Sequence, residues 1–299
     1  MTIKLLGVAA GKGAAQPGAE QGPFVLRERG LVDRLTRAGH VVEDLGDIPG
    51  VHETRFTSAP AQNVNNMPHV LQVNRHTHAC VRGTLARSPD SFLLILGGDH
   101  SLAIGTLAGL SDSCERLGLL WIDAHADFNT PRTTLSGNAH GMSLAVACGR
   151  GHRELRLIAG RDPMIDESDV FLLGYRDLDP AEAKALAESR ITAMSPAEWR
   201  RAGLVRAVRE ACAELAERCD RLHLSFDIDV LEPESVPGTG TPVADGMTVA
   251  EMRELLAELG ARRVLASAGF VEYNPQLDVD GKTGDLTLDL IEALFAPTT

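Results

Sequence analysis

The chain contains no uninterrupted apolar run approaching 18 residues, five cysteines, fewer basic than acidic side chains, and no internal repeat or low-complexity tract. The first absence excludes a transmembrane helix. The opening MTIKLLGVAAGKG reads as a first strand rather than a signal peptide, so a cytoplasmic protein is expected. Cys80, Cys114, Cys148, Cys212 and Cys219 are odd in number, widely spread and without a CxxC pair. That excludes a disulfide framework and a zinc knuckle and leaves plain buried thiols as the expectation. With 29 basic against 41 acidic residues the net charge is −12, which repels phosphate backbones and anionic lipids. Neither nucleic acid nor a membrane is an expected partner.

What is present is an ordinary globular composition, 44% apolar and 23% charged over 299 residues, with no linker to split it. One domain over residues 1–299 is expected. Apolar, β-rich runs occur at 3–9, 40–46, 91–98, 117–124, 169–175, 221–230 and 264–273. Between them lie helical patterns, the clearest at 204–219 and at 248–260. The latter opens on a Thr248/Glu251 capping box and closes on Gly260. Alternating strands and helices predict an α/β fold, a parallel sheet between two helix layers, because parallel neighbours need long crossovers and bury both faces. The Gly/Pro/Gln segment 9–23 follows the first strand and belongs at the carboxyl edge of such a sheet, where ligands bind.

Three distant segments place polar side chains just past an apolar strand: GGDHS (97–101), DAHAD (123–127) and SFDIDVLEP (225–233). In a parallel sheet their ends share one edge and converge. Alternation along a strand puts Asp123, His125 and Asp127 on one side, and likewise Asp227 and Asp229. Four clustered aspartates repel by roughly 4 kcal/mol per pair at about 4 Å and an effective dielectric near 20. Two divalent cations match that charge, and His100 and His125 add neutral imidazoles. Carboxylate and imidazole donors without thiolate favour two Mn2+ ions, with Co2+, Ni2+ or Zn2+ as substitutes. Asp99 reads as a partner of the neighbouring ligand or a loop residue. His223, alternating with apolar neighbours in LHLSF, reads as a packed, hydrogen-bonded core histidine.

In order and separation these three motifs resemble the metal-binding signatures of the ureohydrolase family, binuclear manganese hydrolases, and the resemblance runs from QPGAEQGP to VEYNP. It implies a three-layer, doubly wound and mostly parallel sheet of about eight strands. It assigns His100, Asp123, Asp127 and Asp227 to one metal and His125, Asp123, Asp227 and Asp229 to the other. The stretch NTPRTTLSGNAHGM (129–142) resembles the arginase loop that grips an amino acid. On that likeness Asn129, Thr134 and Ser136 bind the α-carboxylate, Asn138 acts through water, Asp179 of YRDLDP receives the ammonium and Glu182 assists. Read alone, 129–142 is a polar loop and Asp179 a helix cap before Pro180.

The same resemblance implies hydrolysis of L-arginine to L-ornithine and urea by a metal-bridging hydroxide. Glu272 pairs with the guanidinium, Asp127 relays the proton to the leaving amine, His140 shuttles protons to solvent and Thr241 lines the guanidinium pocket. A homotrimer or homohexamer is implied as well. Val230 and Glu232 depart from the glycine and aspartate common in arginases, and within the resemblance segment 147–168 is the least familiar part. Rival readings are another guanidino substrate (hydroxyarginine, agmatine, guanidinobutyrate), a cysteine-dependent deiminase using Cys148, and a silent binding relative.

Overall fold

The computed structural model describes residues 1–48 and 63–296. Eight strands form one sheet: β1 (Thr2–Val8), β2 (Val41–Asp47), β3 (Phe92–Gly97), β4 (Leu117–Ile122), β5 (Val170–Leu173), β6 (Thr192–Met194), β7 (Arg221–Asp227) and β8 (Leu265–Val271). Their order is β2-β1-β3-β8-β7-β4-β5-β6, and every pairing is parallel. The four central strands β3, β8, β7 and β4 are buried along nearly their whole length, which explains why they read as continuous apolar runs.

Alternation divides these runs between two cores. Leu93, Ile95, Leu119 and Trp121 face one side, beneath the helices Met67–Arg87, Ala103–Ser111 and Ser143–Ala147. Leu94, Leu96, Leu120, Ile122, Leu224 and Phe226 face the other, against Leu204–Arg218, Val249–Arg262 and Lys282–Leu294. The result is the three-layer arrangement expected. Because all strands run one way, the carboxyl ends of the central four meet on one edge.

Several sequence expectations need correction. β6 was not anticipated: its three edge residues, one exposed and two half-buried, carry no apolar run. The run 221–230 stops being a strand at Asp227 and continues as a 3-10 turn over Ile228–Val230. The capping box at Thr248 and Glu251 is present, but the helix passes Gly260 and ends at Arg263, which takes the left-handed conformation at φ 53°. Gly260 serves packing instead, since a Cβ there would lie 2.0 Å from the Leu294 carbonyl oxygen. Of the cysteines, Cys148 and Cys212 are buried, whereas Cys80, Cys114 and Cys219 are half-buried; all five are free.

At the site edge, Gly98 lies so close to the first loop that a Cβ would fall 1.7 Å from the Ala10 carbonyl oxygen. Asp99 then accepts hydrogen bonds from Gly13 N (2.9 Å) and Ser101 N (2.9 Å), tying segment 9–23 to the end of β3. His223 is the packed residue expected, fully enclosed, with Nδ1 2.8 Å from Ser267 Oγ.

Burial holds the His223 imidazole down at about 3. The folded state therefore binds fewer protons than the unfolded chain between about 6.5 and 3, so this residue's contribution is complete above 6.5 and is lost as pH falls. Denaturant titrations of His223→Gln and the parent should show the parent losing about 1 kcal/mol more per pH unit below 6.

Candidate active site

The ligand-type residues come from the ends of β3, β4 and β7. Just past β3, His100 Nδ1 lies 3.1 Å from Asp123 Oδ2, 3.3 Å from Asp127 Oδ2 and 3.1 Å from Asp227 Oδ2. Yet His100 Nδ1 and Asp127 Oδ2, both fully enclosed, make no hydrogen bond. Close approach without hydrogen-bond geometry is what lone pairs aimed at one common centre produce. Separations near 3 Å also match the edge of an octahedron whose ligands stand about 2.1 Å from a divalent ion. A second group adjoins the first, with His125 Nδ1 3.0 Å from Asp229 Oδ2 and 3.5 Å from Asp123 Oδ1. Asp123 thus offers one oxygen to each group. Asp227 offers one, its other oxygen accepting from Asp229 N at 2.9 Å. The donors fit a pair of divalent ions.

Electrostatics agree with that fit. Burial opposes charge on His125, but Asp229 and Asp123 outweigh it and push the imidazole far up. His100 rises likewise, its burial overcome by Asp123 and Asp127. Burial, then neighbouring carboxylates, raises Asp127 and Asp227. The cluster draws positive charge from whatever source is at hand.

The predicted alternation over 123–127 does not hold as strand geometry. β4 ends at Ile122, and Asp127 sits in the left-handed region at φ 49°. His125 and Asp127 reach the centre from a loop, whose backbone is pinned by His125 N to Asp123 Oδ1 (2.7 Å) and Ala145 N to Asp127 O (3.1 Å). Glu272, also left-handed at φ 63°, is buried just past β8 rather than a surface residue. Its Oε1 accepts from His100 N (2.8 Å) and lies 3.2 Å from His140 Nδ1. Burial opposes charge on His140, but Glu272 raises it.

Above the carboxylates opens a cavity of about 140 Å³ lined by His125, Asp127, Asn129, Ser136, His140, Asp179, Glu182, Asp227 and Thr241, together with Gly141 and Asp177, which the sequence reading did not single out. Thr241 Oγ1 donates to Asp229 Oδ2 at 3.1 Å and Asn129 Nδ2 to Asp179 Oδ2 at 3.1 Å. Asp179 caps the helix Pro180–Ala187, as its place before Pro180 predicts, while its carboxylate also faces the cavity. Glu182 accepts from Phe128 N (2.8 Å) and Asp179 N (3.3 Å), and burial pushes its carboxyl up to about 7. Thr134 and Asn138 do not line the cavity. Thr134 Oγ1 accepts from Gly137 N at 3.0 Å, and Asn138 Oδ1 from Asn65 Nδ2 at 2.9 Å, so both shape the loop.

Four supporting residues were missed. Trp121 stacks on His100 at 4.1 Å and donates to Asp123 Oδ2 at 2.9 Å; Ser225 Oγ lies 2.7 Å from His100 Nε2. Both precede a ligand by two positions on a true strand, so alternation could have found them. Asn65, whose Nδ2 also donates to Ser136 O at 3.0 Å, carried no local signal. Arg176 donates to six carbonyls: Gly174 (3.2 Å), Asp229 (3.0 Å), Val230 (3.2 Å), Leu231 (3.3 Å), Val243 (2.7 Å) and Ala244 (2.9 Å). It clamps the loop that carries Asp229. Glu232, one of the departures in this loop, accepts from Gly246 N at 2.5 Å and closes the same turn.

Comparison with known proteins agrees with this geometry. The arginase family model matches residues 1–296. The arginase of Bacillus caldovelox is 41% identical over 98% of this chain and 97% of its own, and that of Bacillus subtilis 40% over the same shares. The native structure of the Bacillus caldovelox arginase superposes with a TM-score of 0.93 over 99% of both chains at 40% identity. That of the Entamoeba histolytica arginase in complex with L-ornithine gives 0.89 over 98% of both at 31%. The strand-end carboxylates, the buried imidazoles and the loop over them thus sit in a frame shared along the whole chain, and the chain belongs to the arginase family.

Proposed function

We propose that this chain hydrolyses L-arginine to L-ornithine and urea, with the cavity over the two donor groups as its active site. The observation that carries the reading is Asp123, whose two oxygens serve the two groups at the floor of a cavity walled by acids and hydroxyls. His100, Asp123, Asp127 and Asp227 hold one metal; His125, Asp123, Asp227 and Asp229 hold the other. Mn2+ is the ion these donors favour, hard carboxylates mixed with imidazole and no thiolate. Bound there, the pair would supply Lewis acidity that lowers the pKa of water toward neutrality.

The chain's own groups supply the rest. Asn129 and Ser136, which line the cavity, take the α-carboxylate, Thr134 and Asn138 hold the loop that presents them, and Asp179 takes the ammonium with Glu182 behind it. Glu272 holds the guanidinium beside Thr241, its Oε1 already engaged by His100 N. Asp127 passes a proton to the leaving amine, and His140 exchanges protons with solvent. The bound L-ornithine named for the Entamoeba histolytica relative supports the substrate class. A homotrimer or homohexamer in the cytoplasm completes the reading; among the described residues no helix is long and apolar enough to cross a membrane.

Urea release from arginine should cease on chelation and return with Mn2+, and arginine should outperform agmatine; faster turnover of agmatine overturns the substrate assignment. Glu182, ionised above about 7, should favour the substrate ammonium there, so KM for arginine should rise as pH falls from 8 to 6. In Glu182→Gln that rise should flatten. Arg176→Lys keeps the charge but loses the fork of donors, so metal titration should show affinity weakened by about 10- to 100-fold.

A further inference from the structure

Residues 149–156, together with 130–132 of the substrate loop, line a second cavity. It measures about 600 Å³ and is lined by Arg132, Arg150, Arg153 and Arg156, with His152, Thr130, Pro131, Gly149 and Gly151. Four guanidinium groups share it and no carboxylate lines it, in a chain of net charge −12. Glu167 and Asp162 offset Arg150 and Arg156 from outside the cavity, which leaves Arg132 and Arg153 as like charges that an anion placed between them would stabilise.

Two of the four are held in advance. Arg150 Nε donates to Glu167 Oε1 at 2.8 Å, with its guanidinium 4.6 Å above the Phe128 ring. Arg156 pairs with Asp162 through Nε and Nη2. Among the described residues each keeps Nη1 free of hydrogen bonds from these pairings. Arg132 and Arg153 are exposed and have no side-chain partner among the described residues. His152, 7% exposed, leaves its buried Nδ1 without a hydrogen bond. Ordered, planar, bidentate donors suit phosphate oxygens, and pre-ordering lowers the entropy that binding costs.

We propose that this cavity binds a small-molecule bisphosphate. Its volume exceeds a single phosphate and falls in the range of small-ligand sites. No phenylalanine, tyrosine or tryptophan lines it to stack a base, which favours a ligand without one.

The test is calorimetric titration of the metal-loaded enzyme with fructose 1,6-bisphosphate, and separately with inorganic phosphate. It uses the parent, Arg132→Ala/Arg153→Ala, and Arg75→Ala/Arg82→Ala, which removes the same two charges from exposed positions on Met67–Arg87. Saturable binding by the parent, weakened at least about tenfold in the cavity variant and within about twofold in the charge control, is expected, with phosphate at least about tenfold weaker than the bisphosphate. No saturable binding up to about 10 mM overturns the proposal. Equal affinity in all three proteins, the result of chelation by the bound metals, overturns it, as does equal weakening in both variants, the result of general charge, and phosphate binding as tightly as the bisphosphate overturns the ligand class. None of these readouts requires turnover of arginine.

Discussion

Four buried carboxylates held within a few ångströms of one another are the constraint around which this molecule is organised. Asp123, Asp127, Asp227 and Asp229 are all at most 5% exposed, so water cannot screen them. Left to themselves they capture protons: His100 and His125 are driven toward the imidazolium form, and Asp127 and Asp227 toward the neutral acid. A pair of divalent ions satisfies the same demand without protonating groups needed for catalysis. The scaffold's task is to keep the carboxylates together until cations arrive, and an all-parallel sheet with four central strands ending on one edge does this with backbone hydrogen bonds already present for other reasons.

The cost of that convergence appears in the backbone. Asp127 and Glu272 both occupy the left-handed region without being glycine, a conformation that surrounding structure must enforce. For Asp127 the enforcing bonds come from the loop and from the helix Ser143–Ala147; for Glu272 they come from Gly98 O, which accepts its N–H at 2.8 Å. Arg176 applies the same logic to the third segment: its guanidinium donates to six carbonyls around the turn that carries Asp229. Burial lowers the Arg176 pKa, because no carboxylate hydrogen-bonds it to offset desolvation. Placing a cation's donors on carbonyls leaves the nearby aspartates free for metal.

Legibility in the sequence followed range. The seven longer strands, the helix layers and the three strand-end motifs were readable because burial of both faces makes apolar runs, and polar residues after them stand out. Alternation was a sound rule carried too far: it holds for Ser225 with Asp227, the last residue of β7, and for Trp121 with Asp123, one residue past β4, and fails at His125 and Asp127, where a loop takes over. Roles in the substrate loop came only through family likeness, since threonine, serine and asparagine spell any turn. Asn65 and the carbonyl clamp of Arg176 were invisible because their partners are backbone atoms or side chains far along the chain.

Charge in this molecule is distributed to orient as well as to attract. The cavity over the metal groups carries Asp127, Asp177, Asp179, Glu182 and Asp227, and the basin behind it carries four arginines. Residues 129–132 separate them, Asn129 facing the acids and Arg132 the arginines, and Arg150 lies over Phe128 between the two. A substrate with a carboxylate at one end and a guanidinium at the other meets a field that falls from positive to negative across this loop. The proposed pose, carboxylate on Asn129 and Ser136 and guanidinium at Glu272, lies along that gradient, while the reversed pose opposes it at both ends. The gradient sorts substrate by where its charges sit, which a uniformly acidic cleft could not do. Arg132 and Arg153 of the basin, without side-chain partners among the described residues, also lower the repulsion that an amino acid's carboxylate meets beside the chain's own aspartates.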